Sequence, residues 1–159
     1  MANSKDRLDA AIQAHRARKA EAQQRAAEQE RQAREAAQLQ FQRRGEWGVT
    51  THATIINAVM NVSNEAARRG SSVLFRLVPT QEALCARFEV HESGSLSTLA
   101  KLRFTMDQQG WVSVSTDVRS VTVPSPVQLS DVTNRWADEI ARDVLVAMLE
   151  HRGVLIKQD

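Results

Sequence analysis

Cys85 is the single cysteine of the chain, and His91 follows it six residues later. A thiol and an imidazole are the raw material of a cysteine hydrolase, whose base must lie within hydrogen-bond reach of its nucleophile. Residues 84–91 alternate apolar and polar, the period of a β-strand, so Cys85 and His91 share a face but stand ~20 Å apart along it. By themselves they form no nucleophile–base pair. His15, His52 and His151 fall in separate segments, and no Asp or Glu stands at a metal-ligand spacing to any of them. One cysteine leaves no internal disulfide framework and no multi-cysteine zinc site. The expectation is a half-buried Cys85, histidines that cap or face solvent, no metal and no cofactor.

Phosphate-loop chemistry fares no better. Gly94 and Gly110 are isolated turn glycines, with neither a Walker-type loop nor a dinucleotide fingerprint around them. Ser71-Ser72 and Ser93-Gly94-Ser95 are turn sequences. Asp138, Glu139 and Asp143 lie at helix-surface spacing and read as a solvated face. No catalytic residue is assigned, and a non-enzyme is expected.

Charge is the more informative signal, because it divides the chain near Gly45. Residues 1–44 hold 12 Ala, 8 Gln, 10 basic and 6 acidic side chains, a net charge of +4. Residues 45–159 carry 11 basic and 13 acidic side chains, a net charge of −2. The overall +2 therefore combines a basic arm with a slightly acidic body. Beyond Met1 the arm's only large apolar residues are Leu8, Ile12, Leu39 and Phe41, so only the body can bury a core. The expected division is 1–44 as an extended helical arm, coiled-coil-like or ordered by a partner, and 45–159 as a globular domain.

The arm is rich in strong helix formers and has no proline. Glu21/Arg25, Glu30/Arg34 and Arg31/Glu35 stand four apart, each pair worth ~0.2–0.5 kcal/mol. The best heptad seam runs Leu8, Ile12, His15, Lys19, Ala22, Ala26, Gln29, Ala33, Ala36, Gln40. Its small or polar middle is too weak for a self-sufficient coiled coil.

In the body, Thr51 is expected to cap a helix through Arg69, with Gly70 as its stop. Four strands follow, over residues 73–78, 84–91, 96–107 and 111–119. Leu84, Ala86, Phe88 and Val90 face inward on the second; Leu96, Ala100, Leu102, Phe104 and Met106 do so on the third. Gln108-Gln109-Gly110 makes a hairpin, and Val121 and Val123 prolong the last strand until Pro124 and Pro126. Ser130 or Asp131 then caps a helix carrying Val132, Trp136, Ile140, Val144, Leu145, Met148 and Leu149, which Gly153 ends. The fold class is α+β: a two-layer helix, four-stranded antiparallel sheet and helix, both helices on one face, preceded by the long basic Ala/Gln/Arg-rich helix. Arg76, Arg87, Glu89, Lys101, Arg103, Trp111, Ser113 and Ser115 are left on the open face.

The leading functional reading is a non-enzymatic assembly or adaptor protein that oligomerises or docks a protein partner through the sheet domain and the N-terminal helix. Leu8, Ile12, Leu39, Phe41 and Trp47 are its candidate contacts; Trp47, at the joint, has a second reading as core. A rival reading is nucleic-acid association, with Arg16, Arg18, Lys19, Arg25, Arg31, Arg34, Arg43 and Arg44 on phosphates and the sheet face assisting. Against it, six acids are interleaved with these bases, and the chain has no tyrosine for base stacking. A third reading is an enzyme of unrecognised type around Cys85. No window holds the ~20 apolar residues of a membrane span, and the N-terminus lacks an apolar leader segment. Cytoplasmic location without membrane insertion is expected.

Overall fold

A computed structural model describes the backbone of residues 3–158 and the side chains as far as residue 150. The first helix, α1, runs from Ser4 to Thr50 without a break. A π-helical turn, Thr51–Ile56, joins it to α2, Asn57–Arg68. The expected cap at Thr51 is therefore absent. Thr51 is buried inside a continuous helical run, and its Oγ1 has no hydrogen-bond partner. The wider turn shifts the helical phase between Trp47 and the stripe Ile55, Val59, Val62, so all four reach the core. Gly70, at φ 89°, ends α2 as expected, donating its N–H to Ala67 O at 3.0 Å.

The sheet follows as β1 (Val73–Val78), β2 (Cys85–Glu92), β3 (Thr98–Met106), β4 (Trp111–Thr116) and β5 (Val127–Gln128). It has five antiparallel strands in sequential order and is not four-stranded as expected. Residues 117–126 do not prolong β4; the chain returns so that Val127 and Gln128 pair with Val112 and Trp111. The β3–β4 turn is held by Asp107, whose Oδ1 accepts the N–H groups of Gln109 (3.0 Å) and Trp111 (2.9 Å). Leu96, expected inward, precedes β3 and is exposed. A register shift between Val90 and His91, which face Ala100 and Thr98, leaves Leu99 with no opposite residue.

The last helix, α3, begins at Asn134. Ser130 and Asp131 belong to a 3-10 turn, and the cap is Thr133, whose Oγ1 accepts Trp136 N–H at 3.1 Å. The helix continues through Gly153 to Gln158, so that glycine does not stop it.

One face of the sheet is the core. Phe75, Phe88, Val90, Leu102, Phe104, Met106 and Val112 are buried in one cluster with Trp47, Ile55, Val59 and Val62, and with Ala137, Ile140, Ala141, Val144 and Leu145 of α3. Phe104 is edge-on to Phe88 (centroids 6.0 Å) and to Trp136 (5.8 Å), which ties α3 to the middle of the sheet. Ser63 ties α2 to edge strand β1: its Oγ accepts Phe75 N–H at 3.0 Å and donates to Phe75 O at 3.4 Å. A two-layer α+β arrangement is thus observed. By packing, the chain divides after Phe41 into two compact units.

Candidate functional site

In the first unit every described residue is exposed, as an Ala/Gln-rich helix without an apolar stripe must be. Leu8, Ile12, Leu39 and Phe41 are 59%, 42%, 43% and 82% exposed, so each keeps apolar surface free. Leu8 and Ile12 stand one turn apart near one end; Leu39 and Phe41 lie near the other. Between them the arm's charges are partly spent on one another. Arg31 pairs with Glu28 and with Glu35 (3.3 Å), and Arg34 with Glu30 (2.6 Å). Arg18 Nε donates to Ala14 O at 3.3 Å. Arg16, Lys19 and Arg25 have no ion-pair partner among the described residues, and the expected Glu21–Arg25 pair does not form.

The remaining sequence-derived candidates belong to the second unit. Trp47 is only 5% exposed and lies in the core cluster, so of its two readings the packing one describes the residue. Arg43 is half-buried, pairs with Glu46 at 2.9 Å, and lays its guanidinium over Gly110. Its Nε is buried without a partner. Arg44 is exposed and has no ion-pair partner among the described residues.

The open face of the sheet carries a set of polar side chains, and strand register decides who meets whom. Arg76 stands opposite Glu89, which stands opposite Lys101; Arg87 stands opposite Arg103, which stands opposite Ser115. Arg76 and Glu89 pair at 2.6 Å, and Thr98 Oγ1 donates to the same carboxylate at 2.8 Å. The hydrogen bond from Arg76, then that from Thr98, holds the Glu89 carboxyl below its ordinary range. Arg103 pairs with Glu82, and its Nε lies 3.3 Å from Cys85 Sγ. Cys85 is accordingly buried on the side of the sheet away from the core, and burial pushes its thiol up. That is the opposite of what an activated nucleophile requires. Cys85 and His91 lie at opposite ends of β2, as expected.

A second feature was invisible to pattern reading. Val62, Ala66, Leu145, Val146 and Leu149 line a groove of ≈ 420 Å³ between α2 and α3. Its rim carries Arg142, bonded to Glu65 and Asp138, and Arg69, bonded to Glu65 at 3.0 Å. The hydrogen bond from Arg142 is the main reason the Glu65 carboxyl titrates below its usual value. Leu149, expected in the core stripe, is 41% exposed and lines this groove instead.

Among the described residues no three His, Cys, Asp or Glu side chains come together to hold a metal, and no helix is long and apolar enough to cross a membrane. No family model matches the chain, and neither a curated protein nor a solved structure does.

Proposed function

We propose that the protein is a non-enzymatic assembly or adaptor protein whose N-terminal helix docks a protein surface, either another chain or a second copy of its own. The observation that carries this reading is the arm itself. It is a helix of about 57 Å from Ser4 to Phe41 in which every residue is exposed, and its large apolar side chains sit near its two ends. Local propensity and exposed ion pairs give such a helix only marginal stability, so a bound surface is its natural source of order. Each large apolar side chain removed from water contributes ~1.5–3 kcal/mol, more than any exposed charge pair supplies.

The test compares two variants of the full chain at low and high salt. One replaces Leu8, Ile12, Leu39 and Phe41 by Ala; the other replaces Arg16, Arg18, Lys19 and Arg25 by Gln. Self-association is read by sedimentation, and partner capture by pull-down against the wild-type chain. The apolar variant should lose association while keeping its helicity, since Ala is the better helix former. The charge variant should weaken mainly at low salt. A larger loss in the charge variant, with a falling salt slope on duplex nucleic acid, would favour phosphate-backbone binding and remove the adaptor reading.

A further inference from the structure

Arg87 and Arg103 face each other directly across β2 and β3, an arrangement that costs stability. Like charges in direct register repel, and a sheet of ordinary surface residues has no need to place them there. Arg103 is restrained from both sides by Glu82 and Cys85. The Arg87 guanidinium has no hydrogen-bond or ion-pair partner among the described residues. Lys101 lies on the same face two residues before Arg103, and its ammonium is likewise unpaired. Ser115 stands directly opposite Arg103 on β4. Arg87, Lys101, Arg103, Ser115 and Asp117 line one shallow depression of ≈ 410 Å³.

Each acid nearby has a partner of its own. Glu89 is held by Arg76 and Thr98, and Glu82 by Arg103. Asp117 turns its Oδ1 to the backbone N–H of Lys101 at 2.7 Å. Two guanidinium forks, an ammonium and a hydroxyl thus line one depression in which Arg87, Lys101 and Arg103 outnumber the carboxylates of Asp117 and Glu82.

We propose that this face is a binding site for a phosphate monoester, with Arg87 and Arg103 clamping the phosphoryl oxygens, Lys101 supplying charge and Ser115 donating a hydroxyl. A monoester carries about −1.5 to −2 at neutral pH and presents three acceptor oxygens, so it can serve Arg87, Lys101 and Arg103 together, where the Glu82 carboxylate serves Arg103. Guanidinium forks match its oxygens in bidentate fashion. Bound phosphate would convert the Arg87–Arg103 repulsion into attraction to a shared anion. Free phosphate and a phosphorylated side chain present the same chemistry and are separated by the test.

Isotope-labelled full-length protein is titrated with inorganic phosphate, with a phosphoserine peptide and with its unphosphorylated form, at ionic strength held constant with chloride. Saturable shifts should appear at the backbone amides of Arg87, Arg103 and Ser115. The peptide should bind more tightly than inorganic phosphate if a phosphorylated partner is the source, and no better if the ligand is small. Arg87→Gln should weaken binding by about tenfold or more, the loss expected for one charge-assisted contact. The same variant should melt at or above the wild-type temperature, because the repulsion is gone. Arg135→Gln, a remote surface change, should bind normally. Shifts that fail to saturate, or that survive Arg87→Gln, would overturn the proposal. So would a duplex RNA that displaces phosphate more readily than any monoester, since that marks a diester reader.

Discussion

Two phenylalanines show how differently this chain treats apolar surface. Phe104 is wholly buried in the middle of the sheet; Phe41, at the end of the first unit, is 82% exposed. The body buries most of its large apolar groups, with Leu96 and Leu149 among the exceptions, whereas the arm keeps all of its few in contact with water. Over most of the body, sequence pattern and packing agree, and stability is the use. In the arm they disagree, and the surplus apolar surface is what a partner would cover. Phe104→Ala should destabilise by ~3–5 kcal/mol, because it opens a cavity against Phe88 and Trp136. Phe41→Ala should change thermal stability by no more than about 0.5 kcal/mol. Chemical denaturation followed by tryptophan fluorescence measures both. Equal losses would mean that Phe41 is core and that the contrast is false.

Turn chemistry gives the next largest effect. Gly110 has φ 87°, and a Cβ placed there would sit 3.1 Å from Arg43 Nη1. Gly110→Ala therefore meets backbone strain and displaces a guanidinium, and should cost ~1–3 kcal/mol. Arg43→Ala in the same background should recover only the contact part of that loss. Full recovery would show that φ 87° is no burden.

Electrostatics separates the regions again. The Arg34–Glu30 pair on the arm has side chains 75% and 65% exposed, so Glu30→Gln should leave stability unchanged within error. Arg76–Glu89 on the sheet is more protected, at 32% and 15%. Glu89 titrates in the folded protein below its ordinary 4.5, so its contribution is full above that value and fades as pH falls through the folded value. Glu89→Gln should thus be the less stable protein at neutral pH, and its deficit should shrink in acid. Melting curves between neutral pH and pH ~3 check this. A deficit that stays constant would show that the loss is geometric, not ionic.

These contrasts explain what could be read from the residues. Period-2 alternation marks which face each strand residue takes, so Phe88, Val90, Leu102 and Phe104 were identifiable as core. It does not reveal which residues stand opposite one another, since that depends on turn lengths and on the register shift at Val90/His91. Arg87 and Arg103 were therefore both legible as open-face residues, while their juxtaposition was not. A two-residue strand such as β5 is too short to show any period. Thr51 and Ser130 have the chemistry of caps, but tertiary packing of Trp47 and Ile55 kept one end helical, and Thr133 caps the other. The α2–α3 groove was hidden because a helical stripe records what is apolar, not how closely a neighbouring helix packs against it.

Gly45 and Gly48 give a small expected effect of the opposite sign. Both lie inside α1, flanking buried Trp47, and a Cβ at either would meet nothing within 4 Å. In a helix interior glycine costs roughly 0.5–1 kcal/mol relative to alanine, chiefly through the entropy of the unfolded chain. Gly45→Ala and Gly48→Ala should therefore each raise stability by about that amount, with no loss of core packing. The pair also tests whether the helix must bend at this point when the arm is occupied. If the double variant is more stable and associates normally, the glycines have no mechanical role. If it is more stable but associates less well, bending there is part of docking, and the helical stability that glycine withholds is the cost of a movable arm. A loss of stability would instead place these positions under strain, contrary to the open space around them.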